Sequence, residues 1–293
     1  MTYERLDKCP LCHSGHFRNY LIAKDHLLTG ESFAIVECEN CKLKFTNPRP
    51  SLSDIHKYYQ SEDYISHSNK SNSPVNLIYK IARYFTLKSK LRLIAHLSRK
   101  KTLLDVGCGT GHFLDLCQAN GWDCNGIEPD ENTRKMVMQK KVLTIFPDLK
   151  DLPENQKFDV ITLWHVLEHV YQLDETLLTL HARLHKKGVL FIALPNCASW
   201  DANHYKEDWA AYDVPRHLYH FDPETFKKLI VRYNFKIKDI LPQKLDAYYV
   251  SLLSEKYLNN RFNYYRAIIN GITSNKFAFK SNLYSSLIYV ISK

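Results

Sequence analysis

The stretch KTLLDVGCGTGHFLDLCQANGWDCNGIEPD, from Lys101 to Asp130, decides the fold. It reads as a buried strand, a glycine turn, a helix, a second short strand and an acidic end, one βαβ half of a doubly wound sheet. A dinucleotide fingerprint carries glycine at its first, third and sixth positions. Here Gly107, Gly109 and Gly111 form the pattern DxGxGxG, and His112 takes the sixth position. Glycines let the turn pass close beneath a ligand. Asp105 ends the first predicted strand, where its carboxylate suits a cationic amino-acid ligand, and Glu128 ends the second, where a carboxylate can accept both hydroxyls of a ribose.

Outward from this unit the strand pattern continues. VLTIFPDL supplies a third strand, KFDVITLWHVLEHV a fourth and its turn, and GVLFIALPN a fifth, after a helix expected from Leu173 to His185 with Gly188 as its stop. FKIKDILP and SSLIYVISK supply the sixth and seventh, with a helical insertion between them whose stretch from Gln243 to Lys280 is aromatic and basic. The expected fold class is therefore α/β, a doubly wound, mostly parallel seven-stranded sheet. Before it, Val75, Ile78, Ile81, Phe85, Leu91 and Ile94 recur near helical spacing, while residues 60 to 73, rich in Ser, Asn and charge, read as exposed.

The N-terminus carries different chemistry. Cys9 with Cys12 and Cys38 with Cys41 form two CxxC pairs flanking the strand-like run SFAIVEC. Two thiolate knuckles joined by a hairpin can close a tetrahedron around structural Zn2+, which also holds together a segment too small for its own core. A redox dithiol needs only one CxxC, so the paired arrangement favours metal. His13 and His16 lie close enough to substitute, but the four cysteines already complete the site. The division read from these patterns is a zinc ribbon over 1–50, a helical linker over 51–99 and the α/β domain over 100–293.

The glycine turn, helix and acidic strand end together resemble motifs I and II of class I S-adenosylmethionine (SAM)-dependent methyltransferases. The resemblance implies that Asp105, Gly107, Gly109 and Gly111 underlie the methionine part of SAM, that Glu128 binds its ribose, and that Asp148 and Leu149 lie near its adenine. It also implies an antiparallel last strand, and it places Trp164 and His165 at the end of the fourth strand, against the cofactor. Methyl transfer is a direct displacement, so the protein must align the acceptor and take its proton. His165 competes for that role with the segment SWDANHYKEDWAAYDVPRHLYHFD, which gathers His204, Trp209, Tyr212, Asp213, Arg216, His217 and His220. In it His217 is the candidate base, Asp213 its orienting carboxylate and Arg216 a clamp for phosphate or carboxylate. Trp164, Trp209 and Tyr212 offer an aromatic surround for the sulfonium. A bland account covers part of the segment: His220 and Asp222 cap a helix that begins at Pro223.

The whole arrangement resembles bacterial methyltransferases of the ubiquinone-type or methyltransferase-23 class with an N-terminal zinc module. Some relatives of this plan are sugar C-methyltransferases acting on nucleotide-linked deoxysugars, with a histidine after strand five to which His217 corresponds. That resemblance implies a small-molecule acceptor, such as a nucleotide-linked sugar or cell-surface polysaccharide precursor. The chain has 293 residues, 45% of them hydrophobic, and a net charge of +9 that would attract an anionic acceptor. No stretch reaches the roughly 18 apolar residues of a membrane span, and the start MTYERLDKCP lacks a signal-peptide run, so a cytoplasmic protein is expected. The zinc ribbon and the charge also raise RNA methylation. It is not favoured, because LWHV stands where base-amine methyltransferases carry an Asn/Asp-Pro-Pro-aromatic turn, and Cys197 as nucleophile would need a depressed pKa. The non-enzymatic alternative is a SAM-binding interaction protein.

Overall fold

The computed structural model describes residues 2–59, 74–98, 101–140, 143–261 and 263–293. The expected exposure of residues 60 to 73 and the side chains of Val75, Ile78 and Ile81 lie outside the described residues. The N-terminal part holds β1 (Tyr3–Glu4), β2 (Phe17–Lys24), β3 (Ser32–Cys38), β4 (Lys44–Thr46) and β5 (Arg49–Pro50). A 3-10 turn (Ile55–Tyr59) and α1 (Pro74–Leu97) lead into β6 (Thr102–Val106), α2 (His112–Gln118), β7 (Asp123–Ile127), α3 (Glu131–Lys140), β8 (Thr144–Phe146), β9 (Phe158–Trp164), α4 (Leu173–Arg183) and β10 (Leu184–Pro195). Then come α5 (Trp200–Tyr205), β11 (Tyr219–His220), α6 (Pro223–Arg232), β12 (Lys236–Pro242), α7 (Asp246–Tyr257), α8 (Asn263–Ser281) and β13 (Ser286–Ser292).

Seven strands form one sheet in the order β12-β13-β10-β9-β6-β7-β8. β13 runs antiparallel to both its neighbours, while the pairs from β10 to β8 are parallel. This is the doubly wound sheet expected from the sequence, antiparallel last strand included. Helices cover both faces, so the central strands are apolar throughout and successive residues feed opposite cores. Ile161, Leu163, Ile192 and Leu194 belong to one cluster, and Val160, Phe191 and Ala193 to the other. Each fully buried aliphatic side chain among them contributes about 1.5–3 kcal/mol.

One expectation is corrected. Gly188 is not a helix stop: α4 ends at Arg183, and Gly188 lies inside β10 at a shift in register against β9. A Cβ there would meet Leu184 Cδ1 at 2.8 Å and the carbonyl of Asp159 at 3.0 Å, so close packing between strands explains the glycine. The N-terminal sheet also draws on a later part of the chain. β11, from the segment after β10, pairs with β4 and completes the N-terminal sheet in the order β11-β4-β3-β2. Cys9, Leu11, Leu43 and Phe45 share one core with Leu218, Phe221 and Phe226. The Pro223 helix starts as expected: Asp222 and Thr225 form a reciprocal cap with proline in the first turn.

Candidate functional site

The four N-terminal cysteines converge. Cys9 and Cys41 Sγ are 3.5 Å apart, as are Cys12 and Cys38 Sγ, and all four sulfurs lie within 4.8 Å of one another. A tetrahedral thiolate site with metal–sulfur bonds of about 2.3 Å has edges of about 3.8 Å, whereas a disulfide needs about 2.05 Å. The cluster therefore fits a zinc ion. His16 is exposed and His13 meets Arg232, so neither joins the sulfurs.

The glycine loop follows β6 and lies beside the C-terminal ends of β7 and β9. Gly107 and Gly109 have φ of 71° and 52°, a region that favours glycine. A Cβ on Gly107 would strike Val166 Cγ2 at 2.5 Å, whereas one on Gly109 would meet nothing within 4 Å, leaving room for a ligand against the backbone. Gly111 caps the N-terminus of α2. The Glu128 carboxylate accepts from the amides of Gly109 (2.8 Å) and Asp130 (2.9 Å), which ties the end of β7 to the loop. Burial raises its pKa. Asp105 is buried, accepts from Thr162 Oγ1 at 2.6 Å, and burial pushes its carboxyl up to about 7. The Trp164 ring packs edge-on to Phe113 and stacks on Phe191, and its Nε1 is buried without a hydrogen-bond partner. Lys90 of α1 places its ammonium 4.3 Å from the Trp164 ring centre. These groups fit SAM: a carboxylate for its cationic end, a second carboxylate for its ribose, and an orphan donor. Asp148 caps the turn Leu149–Asp151 through the Lys150 amide, and Leu149 is buried in the core beside it.

His165 follows β9 with φ of 58°, rare for a residue with a Cβ and costly to hold. Its Nδ1 lies 3.5 Å from Glu168 and its Nε2 3.2 Å from Asp246 of α7. Burial lowers its pKa, but the carboxylates of Asp246 and Glu168 outweigh this and lift it to about 9. Glu168 is 1% exposed, and neither of its oxygens has a hydrogen-bond partner. Burial works against its charge, but the neighbouring His165 holds the carboxyl below the usual range.

His217 Nδ1 stands 2.9 Å from the carbonyl of Ala211, which can only accept, so Nδ1 carries a proton and, in the neutral ring, Nε2 holds the lone pair. Nε2 is 4.0 Å from Glu168 and 3.9 Å from Asp213. His169 packs edge-on to His217 with ring centres 4.6 Å apart, and its own Nδ1 is fixed by the carbonyl of Arg216 at 3.0 Å. Burial lowers the His169 pKa to about 4. Glu168, His169 and His217 place ligand atoms within 4.8 Å of one another, a second group able to hold a cation.

Other residues of the loop serve the fold. The Arg216 guanidinium is 1% exposed and bound to Asp25, Asp213 and the Tyr58 carbonyl at 2.7 to 3.0 Å. Its donors are spent on the N-terminal sheet and on Asp213, so it is not the expected clamp for substrate. Trp209 donates to Asp201 at 2.8 Å inside the core, and Tyr212 is buried against Trp209 and His220, its phenol pushed up by burial. Cys197 is buried with its thiol pushed up to about 12, the opposite of an activated nucleophile. Sequence reasoning missed Lys90 and Asp246. Both come from helices without a motif and reach the site only through tertiary packing.

The comparisons agree with this geometry. A family model described as a methyltransferase domain matches residues 79–240, more than half of the chain. Among curated proteins, the ubiquinone biosynthesis O-methyltransferase of Actinobacillus pleuropneumoniae is 28% identical over 176 residues, covering 55% of this chain and 74% of that protein. The mitochondrial one of Candida albicans is 28% identical over 106 residues, 32% of each chain, and the Rickettsia bellii one 26% over 130 residues, 42% of this chain and 51% of that protein. The chain thus spans about a third to a half of the length of these two relatives. Among solved structures, magnesium protoporphyrin IX methyltransferase from Synechocystis PCC 6803 with bound SAH superposes with a TM-score of 0.54 at 14% identity, over 83% of this chain and 100% of that one. A SAM-dependent methyltransferase from Archaeoglobus fulgidus gives 0.50 at 21% identity, over 75% and 100%. Among the described residues no helix is long and apolar enough to cross a membrane. With its sheet order, its glycine loop and the matched family model, the chain belongs to the methyltransferase domain family, as a class I SAM-dependent methyltransferase.

Proposed function

We propose that this protein moves the methyl group of SAM to a small-molecule acceptor whose proton is taken by His217. Asp105, Gly107, Gly109, Gly111, Glu128, Trp164, His165 and the Asp148–Leu149 turn hold the cofactor in this reading. The observation that carries it is the fixed tautomer of His217: Nδ1 is engaged by Ala211, so Nε2 is ready to accept a proton. Once it does, Asp213 and Glu168 face the new charge. His165 serves another role in this reading: Asp246 and Glu168 raise its pKa to about 9, and its ring orders those two carboxylates around the site. Bound SAM supplies the electrophilic methyl, and the chain's own groups align the acceptor and exclude water. Tyr212 acts by packing behind the Ala211–Asp213 turn.

Two acceptor classes have support. The names of the curated relatives favour a phenolic hydroxyl. The resemblance to sugar methyltransferases and the net charge of +9 favour a nucleotide-linked sugar or cell-surface polysaccharide precursor. Release of demethylated cofactor with catechols and with nucleoside-diphosphate deoxysugars, assayed side by side, separates them. Turnover only on RNA transcripts would sink both.

Two further outcomes are expected. SAM pairs with ionised Asp105, but burial holds that carboxyl protonated below about pH 7 in the free protein, so binding under acidic conditions must release a proton. Affinity should therefore rise up to tenfold per pH unit until about pH 7 and then level off. An Asp105→Asn variant should bind weakly with no such slope, and a parent chain with flat affinity would refute the pairing. In metal analysis of protein purified without added metal, we expect about one zinc per chain, retained in a His217→Asn variant and lost with unfolding in a Cys9→Ser/Cys12→Ser variant. A second equivalent that vanishes in His217→Asn would favour another reading, in which Glu168, His169 and His217 hold a cation that activates the acceptor.

A further inference from the structure

α8 is amphipathic in the inverse sense. Its inward stripe is made of small residues, Ala267, Gly271, Ser274 and Ala278, all buried. They let the helix lie so close to α7 that a Cβ on Gly271 would meet the Tyr248 ring at 2.5 Å. The large apolar side chains are on the opposite face: Tyr265 is 68% exposed, Ile268 55%, Ile272 52% and Phe279 78%. Spacings of three, four and seven residues put these four on one stripe. A soluble surface normally scatters such residues singly, and a contiguous apolar strip calls for something that covers it.

The charge pattern says what. No acidic residue occurs after Glu255, whereas Lys256, Arg261, Arg266, Lys276 and Lys280 do. At 3.6 residues per turn, Lys276 and Lys280 lie along one flank of the stripe, with Arg266, which is 4.0 Å from Glu255, beyond them. A second copy of the helix laid on this face would bring cation against cation. An anionic lipid surface offers the complement, with headgroups for the basic flank and the acyl boundary for the Ile and Phe side chains. We propose that the outer face of α8 docks on an anionic membrane surface, lying on it rather than crossing it. The same hairpin bears on the site, since Asp246 at the start of α7 contacts His165, so docking holds one side of the site near the bilayer.

The test is co-sedimentation of the full chain with vesicles of phosphatidylcholine alone and of phosphatidylcholine mixed with phosphatidylglycerol. Binding to the mixed vesicles only is expected. It should weaken at least about tenfold in both Ile272→Ser/Phe279→Ser and Lys276→Glu/Lys280→Glu variants, while SAM titration shows the variants folded. Three results would overturn the proposal: no binding to anionic vesicles at low salt, binding indifferent to both variants, or a dimer in sedimentation velocity that Ile272→Ser/Phe279→Ser dissociates without any vesicle binding.

Discussion

In a Glu128→Ala variant, titration with SAM should lose at least about a hundredfold in affinity. The carboxylate stands at the end of β7 with its charge turned toward the loop, already accepting from Gly109 and Asp130. Two further charge-assisted bonds to a ribose, at about 1.5–3 kcal/mol each, account for that loss. The fold should survive, because burial raises the Glu128 carboxyl and the free protein gains little from its charge. A melting temperature close to the parent's, together with lost binding, is the expected pair of results. Undiminished affinity in the variant would remove Glu128 from the cofactor site.

His217→Asn should lower turnover by about a hundred- to ten-thousandfold with SAM affinity unchanged. Asparagine keeps a donor for the Ala211 carbonyl but cannot take up a proton. The pH profile adds a discriminating readout: the parent rate should depend on a group that the variant lacks. If the variant turned over as fast as its parent, the proton would have to leave by another route, and the remaining histidines are poorly suited. Burial lowers the His169 pKa to about 4, and the carboxylates of Asp246 and Glu168 raise that of His165 to about 9.

Local pattern was enough for the sheet and for the loop at its centre, because the signals there are short-range: apolar runs for β6, β9 and β10, a glycine turn, and carboxylates at strand ends. The cysteines were legible for the same reason, since each pair makes its knuckle locally. What failed was whatever depends on partners far away in the chain. Gly188 follows a helical pattern and so reads as its stop, yet its reason is the carbonyl of Asp159 in the neighbouring strand. Trp209 and Arg216 have the residue types of a binding site, but Asp201 and Asp25 had already claimed them. Lys90 and Asp246 carry no motif at all. Their value comes from where α1 and α7 are packed.

The strand that the loop after β10 lends to the N-terminal sheet sets an order of events during synthesis. Thr46 receives its backbone partner Leu218, and a side-chain bond to the His217 carbonyl at 2.8 Å, from 171 or more residues further along. As the chain leaves the ribosome, β4 therefore waits with an open edge until most of the protein has been made. A zinc ion captured early by the four cysteines would hold that edge in shape through the delay. When Tyr219 and His220 finally dock, they carry His217 into place, so the step that closes the first-made sheet is also the step that positions the proposed base.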